Sequence, residues 1–298
     1  MTNTSLSTKG IVLAGGHGTR LYPNSTAVSK QLFPIFSKPT IFYPISTLLL
    51  AGIKEIAIIS FPQVLPSYEA LFGDGSKFGA QFTYIEQHEA NGIAEAFLLA
   101  EDFLDGHPSA LILGDNLLIG SGLRNILTNA LADNVGATIF VGSVSNPQEY
   151  GIATLDSDNN VLEIHEKPKK PASNKAVIGL YFYDHQAVEF VKGMRPSSRN
   201  ELEITDLNNL YLSAKKLKAV KIPRGAAWFD TGSPVSQLEA SNYVRSLEMR
   251  EDMLIYAPEE VAWRQGNISL NQFAKLIDEM PKSYYRDSLE AIVKRHKN

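Results

Sequence analysis

The residues best suited to chemistry begin at Gly15-Gly16-His17-Gly18-Thr19-Arg20, which follow the apolar run Gly10 to Ala14. Glycines leave backbone N–H groups open, and such a nest at a strand end can hold phosphate oxygens. Arg20 adds a permanent charge with a forked donor set suited to a polyphosphate. Ala14, Thr19 and Leu21 break both G-x-G-x-x-G frames, and no Gly-Lys-Ser/Thr follows, so neither the dinucleotide fingerprint nor the P-loop is present. A purely structural turn fits the same residues. In Ser29-Lys30-Gln31, Lys30 reads either as a second phosphate contact or as a surface lysine. Asp115 follows Leu111-Ile112-Leu113-Gly114, and Asp230 follows Trp228-Phe229. Carboxylates at strand ends lie where α/β sheets bind ligands and suit Mg²⁺. Capping a turn and starting a loop are the plain alternatives. Glu166-Lys167-Pro168 offers a glutamate for a sugar hydroxyl and a lysine for a sugar phosphate, or else an exposed charge pair. Arg199 precedes Glu201-Leu202-Glu203-Ile204-Thr205-Asp206, whose acids read as first-turn residues of a helix. The six histidines form no metal pattern, which argues against zinc, and no Gly-x-Ser-x-Gly elbow occurs.

The elements that must position these residues alternate in the first half. Strands are expected at Gly10–Ala14, Glu55–Ser60, Gln81–Glu86, Ala110–Leu113 and Ala137–Ser143. Helices are expected at Thr40–Ala51 (with Pro39 at its start), Val64–Phe72, Ile93–Phe103 and Leu123–Ala132. This rhythm predicts a parallel sheet with helices on both faces. After Pro147 the strands Ile152–Leu155, Val161–His165 and Ala176–Tyr183 suggest a small antiparallel or mixed β insertion. Helices at Gln186–Lys192 and Ile204–Ala214 and a strand at Ala219–Ile222 follow. From Ser233 the chain reads as helical, at Leu238–Glu251, Leu270–Ile277 and Leu289–Arg295. The expected division is a core over residues 1–233 and a helical region over 234–298, packed on the core or at a subunit interface.

A hydrophobic fraction of 44% supports a sizeable core in 298 residues. A net charge of −4 supplies no global field for nucleic acid or an anionic membrane, so bound anions need a local site. The absence of cysteine excludes disulfides, thiolate metal sites and cysteine nucleophiles, and fits a cytoplasmic location. Met1 to Thr8 is polar, without the basic start and apolar stretch of a signal peptide. The apolar stretch Ile41–Ile53 contains Pro44 and is too short to span a bilayer.

Taken in order, these pieces are joined by Leu113-Gly114-Asp115-Asn116, Gly179-Leu180-Tyr181-Phe182-Tyr183-Asp184 and Trp228-Phe229-Asp230-Thr231-Gly232. The set resembles the sugar nucleotidyltransferases, and among them the glucose-1-phosphate thymidylyltransferase family, from about Lys9 to beyond Arg264. The resemblance implies a nucleotide-diphospho-sugar transferase fold: a Rossmann-like α/β arrangement with a mixed, mostly parallel sheet flanked by helices. It implies Mg²⁺ as cofactor, dTTP and glucose 1-phosphate as substrates, no nucleic-acid or membrane partner, and a homotetramer. Carried over by position, Leu13, Gly15, Gly16, Gly18, Thr19, Arg20 and Lys30 would meet the nucleotide, with Gln87 and Gly92 at the thymine. Asp115 and Asp230 would bind Mg²⁺. Gly151, Glu166 and Val177 would hold sugar hydroxyls, Lys167 and Arg199 the sugar phosphate, and Asn116, Tyr181 and Trp228 would line the sugar pocket. Arg20, Lys30, Asp115, Lys167 and Asp230 would carry catalysis. Two stretches depart from the family pattern. His88-Glu89-Ala90-Asn91 replaces its usual Pro-Ser-Pro-Asp, with Glu95 where glutamine is usual, and Leu117-Leu118-Ile119-Gly120-Ser121 replaces an aromatic pair followed by Gly-His. The second departure falls on a feedback nucleotide site, of which Glu260 and Arg264 remain. The alternatives are the same chemistry with UTP or another sugar 1-phosphate, and a non-catalytic nucleotide-binding subunit.

Overall fold

Lys9–Leu13 (β1) is buried along its whole length, and its side chains alternate between two cores. Ile11 and Leu13 point to one and Val12 to the other, the period of two that a strand buried on both faces requires. In the computed structural model, residues 6–251 and 253–297 are described, so the first five residues of the Met1–Thr8 segment lie outside them. A small hairpin follows β1, made of β2 (Pro34–Ile35) and β3 (Lys38–Pro39). Next come β4 (Glu55–Ser60), β5 (Gln81–Glu86), β6 (Ser109–Leu113), β7 (Asn116–Ile119) and β8 (Ala137–Ser143). The last strands are β9 (Gly151–Leu155), β10 (Val161–Glu166), β11 (Lys175–Tyr183), β12 (Leu217–Lys221) and β13 (Ala227–Asp230).

The main sheet runs β10-β9-β11-β6-β1-β4-β5, with β8 and β12 continuing from the other edge of β11. β6, β1, β4 and β5 pair in parallel, whereas β11 is antiparallel to β6, β8 and β9. The sheet is therefore mixed and mostly parallel where the first half of the chain builds it. The expected insertion is narrower than 152–183. β9 and β10 form an antiparallel ladder, but β11 belongs to the centre of the sheet through its pairing with β6.

Several boundaries move. The helix expected over Ile93–Phe103 is two short ones, Glu95–Leu99 and Glu101–Leu104, separated at Ala100, whose backbone leaves helical geometry. The helix expected from Thr40 runs over Phe42–Leu50, and Pro39 sits in β3 instead of at its start. The expected Leu238–Glu251 helix begins at Pro234, and a further helix spans Pro258–Arg264.

The C-terminal helices are tied to the sheet side chain by side chain. Ala240 and Val244 of Pro234–Glu251 pack with Ile35, Tyr43, Leu117 and Ile119. Lys38 donates to Glu248 at 3.0 Å in an ion pair shut away from solvent, and Glu248 also accepts the Ile255 N–H. Phe273, Ile277, Leu289 and Ile292 share one core with Phe72, Phe78 and Ile112. Ser269 and Gln272 form a reciprocal cap at the start of Leu270–Asp278. Among the described residues no helix is long and apolar enough to cross a membrane.

Candidate active site

β1 delivers Gly15 to the carboxyl end of the sheet. Its position is fixed by the Ala14 N–H donating to Ile59 and the Ser60 hydroxyl donating to the Ala14 carbonyl at 2.9 Å. Gly15 lies against the Gln87 side chain, and a Cβ there would lie 1.9 Å from Gln87 Oε1 and force that amide to move. Beyond the turn, Thr19–Leu21 forms a single tight turn that carries Arg20. The Gln31 amide donates to the Gly15 carbonyl at 3.2 Å and accepts the Ser29 hydroxyl, so the Ser29–Gln31 segment is laced under the glycine turn. That leaves Lys30 directed at Asp115, to which its ammonium donates.

Asp115 occupies the turn between β6 and β7. β7 leaves the main sheet and pairs only with β13, in a register that sets Asn116 opposite Asp230. Both the Thr231 N–H and its hydroxyl donate to the Asp115 carbonyl, at 3.1 and 2.8 Å. This ribbon brings together two aspartates far apart in sequence. Their environments pull them in opposite directions. Burial alone would raise the Asp115 carboxyl, but the Lys30 ammonium and the Asn116 amide beside it hold it below its usual range. Burial pushes Asp230 up and the Asp115 charge adds to this, with Arg20 at 3.8 Å and Lys30 only partly offsetting them. Two neighbouring acids that resist ionising together are suited to sharing a divalent cation. Among the described residues no cluster of three or more His, Asp or Glu has metal-site geometry. Two carboxylates would thus leave the remaining positions to water and phosphate oxygens, as Mg²⁺ favours.

The opposite end is built from β9, β10, β11 and the segment before the helix Ile204–Ser213. Glu166, paired with Gly151 at the end of β10, accepts the Thr205 hydroxyl at 2.6 Å. Lys167 has φ 42°, a left-handed conformation that is costly for a side-chain-bearing residue, and it is held by its N–H to the Tyr150 carbonyl. Arg199 grips Glu203 with two donors, at 2.6 and 2.9 Å, and reaches Glu166 at 3.3 Å and Glu201 at 3.6 Å. The expectation that Glu201 and Glu203 serve the helix start is therefore corrected. Glu203 is the N-cap residue in extended geometry, but its side chain caps nothing and is committed to Arg199 and Ser197. Those contacts hold the Glu203 carboxyl low although burial opposes them.

One cleft of about 740 Å³ joins the two ends. It is lined by Leu13, Gly15, Gly16, Arg20, Lys30, Gln87 and Gly92 on one side and by Gly151, Glu166, Lys167, Val177, Tyr181 and Arg199 on the other. Asp115, Asn116, Trp228 and Asp230 lie between them. Of the residues expected at the site, Gly18 and Thr19 do not line it. Thr19 faces an adjoining hollow of about 720 Å³ on the far side of the glycine turn. Sequence reasoning placed none of Gln31, Tyr150, Glu203 and Thr205 in the site, having given Glu203 only a part in starting the helix. Gln31 and Thr205 stood inside the recognised motifs. Tyr150, whose ring packs edge-on to Trp228 at 5.2 Å, carried no signal beyond its aromaticity.

A glycine turn beside a basic pair, two facing aspartates and a polar far wall define an enzyme that works on phosphates, and the chain belongs to the nucleotidyl transferase family, whose model matches residues 9–246. The similarity then narrows. The chain is 46% identical over 287 residues to the glucose-1-phosphate thymidylyltransferase of Xanthomonas campestris pv. campestris, covering 96% of this chain and 97% of that protein. It is 41% identical over 288 residues to that of Mycobacterium tuberculosis, covering 97% of this chain and all of the other. A crystal structure from Bacillus anthracis, assigned as a glucose-1-phosphate thymidylyltransferase and containing sucrose, superposes with a TM-score of 0.75. It is 37% identical and covers 80% of this chain and 96% of its own. UDP-glucose pyrophosphorylase bound to UDP-glucose shares the fold, with a TM-score of 0.72 at 24% identity over 81% of this chain and 99% of its own.

Proposed function

We propose that this chain condenses dTTP with α-D-glucose 1-phosphate to give dTDP-glucose and pyrophosphate, a thymidylyl transfer to glucose 1-phosphate of the kind its relatives are named for. The observation that carries the reading is the single cleft, with a glycine turn at one end, the polar side chains of Glu166, Lys167 and Arg199 at the other and paired aspartates between. In this reading the backbone of Gly15 and Gly16 with Arg20 and Lys30 holds the triphosphate, and Gln87 and Gly92 meet the base. Glu166, Gly151 and Val177 receive sugar hydroxyls, Trp228 and Tyr181 wall the ring, and Lys167 and Arg199 take the sugar phosphate. The site falls to the core division, residues 1–233, and the helical division from 234 onward serves as its packing partner or as a subunit interface. The enzyme works as a homotetramer in the cytoplasm.

An oxygen of the sugar phosphate attacks the α-phosphorus, the bond to the β-phosphate breaks, and pyrophosphate leaves. The attacking oxygen is already ionised, so no protein nucleophile or base is needed. Bringing two anions into line depends on positioning and on neutralised charge. Asp115 and Asp230 would hold Mg²⁺, which supplies charge neutralisation between the phosphates when bound. Arg20 answers the charge that develops on the departing pyrophosphate. Pyrophosphate release should be measured with dTTP and glucose 1-phosphate, with UTP in its place, and with Mg²⁺ withheld. Fast, Mg²⁺-dependent release with dTTP is expected; no release, or faster release with UTP, rejects the proposal.

A further inference from the structure

Gln87 is 2% exposed and lines the cleft, yet its Oε1 has no hydrogen-bond partner among the described residues. Its Nε2 is occupied: it donates to Glu95 Oε2 at 2.9 Å. The same carboxylate accepts the Asn91 side-chain amide at 2.8 Å and the Asn91 backbone N–H at 3.3 Å. An ionised carboxylate only accepts hydrogen bonds, so the Gln87 atom facing Glu95 must be the nitrogen. The oxygen is then turned toward Gly15, where a Cβ would lie 1.9 Å from it. The loop that carries Asn91 is itself pinned. Leu202 N–H donates to the Asn91 carbonyl at 2.6 Å, Ala94 N–H donates to the Leu202 carbonyl, and Gly92 has φ 108° with no room for a side chain against Leu202. Asn91 and Gln87 thus both donate to the Glu95 carboxylate, and the Gln87 oxygen is left as a bare buried acceptor in the base end of the cleft.

From this geometry we infer that Glu95 is a specificity-setting residue: by fixing the Gln87 amide with its oxygen inward, it makes the cleft demand a base that presents an N–H donor. The inference rests on the proposed use of dTTP. Thymine and uracil carry such a donor at N3, whereas cytosine has a lone pair there, and a buried acceptor facing a lone pair leaves both without a partner. Glu95 touches neither substrate and acts only through the orientation of Gln87. Glu95→Gln keeps the side-chain shape but offers either an oxygen or an amide, so the Gln87 amide is free to turn over.

The test measures kcat/KM for dTTP, dUTP and dCTP with glucose 1-phosphate in the wild-type chain, Glu95→Gln and Glu95→Ala. Calorimetric binding of each nucleotide to the same three proteins runs alongside. The expected result is a preference for dTTP over dCTP that falls about tenfold or more in Glu95→Gln, the size of one hydrogen bond's discrimination, while dTTP and dUTP keep their ratio. A merely structural role would lower all three nucleotides in parallel, and an unchanged dTTP-to-dCTP ratio in both variants overturns the inference. Wild-type protein without turnover on dTTP rejects the proposed reaction instead, and the binding ratios still decide the role of Glu95.

Discussion

Asn116→Asp changes one atom at the junction of the cleft. Asn116 Oδ1 receives the Gly179 N–H at 3.2 Å and the Trp228 indole N–H at 2.7 Å, so its amide nitrogen is fixed toward Asp115 Oδ1 at 3.1 Å. Aspartate has the same shape and keeps an oxygen for both donors, but it places a second oxygen against Asp115. The lost hydrogen bond to a carboxylate is worth about 1.5–3 kcal/mol. Two ionised carboxylates that close repel by about 5 kcal/mol at an effective dielectric of about 20. Proton uptake limits the damage, because adjacent carboxylates relieve the repulsion by sharing one proton. The sign follows from the raised folded-state pKa of the new carboxyl. Its stability relative to the unfolded chain is intact below the unfolded value of about 3.9 and is lost as pH rises through the folded value. Urea denaturation should therefore find the variant close to wild type near about pH 4 and worse by several kcal/mol near about pH 8, where proton uptake caps the titration loss at roughly 6. Asn116→Ala is the comparator: it orphans the buried Gly179 N–H and removes the amide that helps hold Asp115 low, and should lose about 1–3 kcal/mol without adding a new carboxyl to titrate. An Asn116→Asp deficit that is equal at both pH values, or absent at the higher one, refutes the assigned orientation of the amide.

Arg20→Ala and Asp115→Asn should each lower turnover by on the order of 10²-fold or more, as removal of other preorganised charge contacts does; near-normal pyrophosphate release from either folded variant removes it from the mechanism. Glu259 is buried and accepts the Tyr285 hydroxyl, but burial outweighs that bond and the nearby Lys77 and Lys38, so its carboxyl is raised. The wild-type chain therefore loses stability as pH climbs through the folded value, and Glu259→Gln should gain on it between about pH 4 and 8 in melting temperature, with the opposite trend refuting this.

Local patterns revealed the parts of this molecule that are locally determined. An apolar run ending in glycines was sufficient to read β1 and its turn, because burial on both faces demands that composition and the turn demands those glycines. Asn116–Ile119 was invisible as a strand for the opposite reason. Three apolar residues after Gly114-Asp115-Asn116 look like a continuation of β6, and only pairing with β13 shows that they leave the sheet. Arg199 and Glu203 were separated in the reading because acids near a helix start satisfy the dipole equally well. Their pairing depends on the extended backbone at Glu203, which turns its carboxylate toward Arg199 instead of over the first turn.

The feature that creates the site is a change of partner along a single strand. Lys175 and Ala176 of β11 pair with β9, and Leu180 to Tyr183 pair with β6 on that same edge, leaving Val177 to Gly179 without a strand there. The Gly179 N–H would be orphaned, but Asn116 supplies its acceptor from the turn after β6. A Cβ at Gly179 would meet Asn116 Oδ1 and Leu113 at 2.7 Å, so the gap stays open only because the residue bridging it is glycine. In open α/β sheets a crevice forms where neighbouring strands part company, and here the parting lies between the parallel half of the sheet and its antiparallel half. The parallel half brings the glycine turn, Lys30 and Gln87 to one lip. The antiparallel half brings Gly151, Glu166 and Lys167 to the other. Asp115 stands at the parting itself, and β13 returns to set Asp230 beside it. The two substrates of the proposed reaction are thus held by two halves of one sheet, and the residues proposed to offset their mutual repulsion lie where those halves separate.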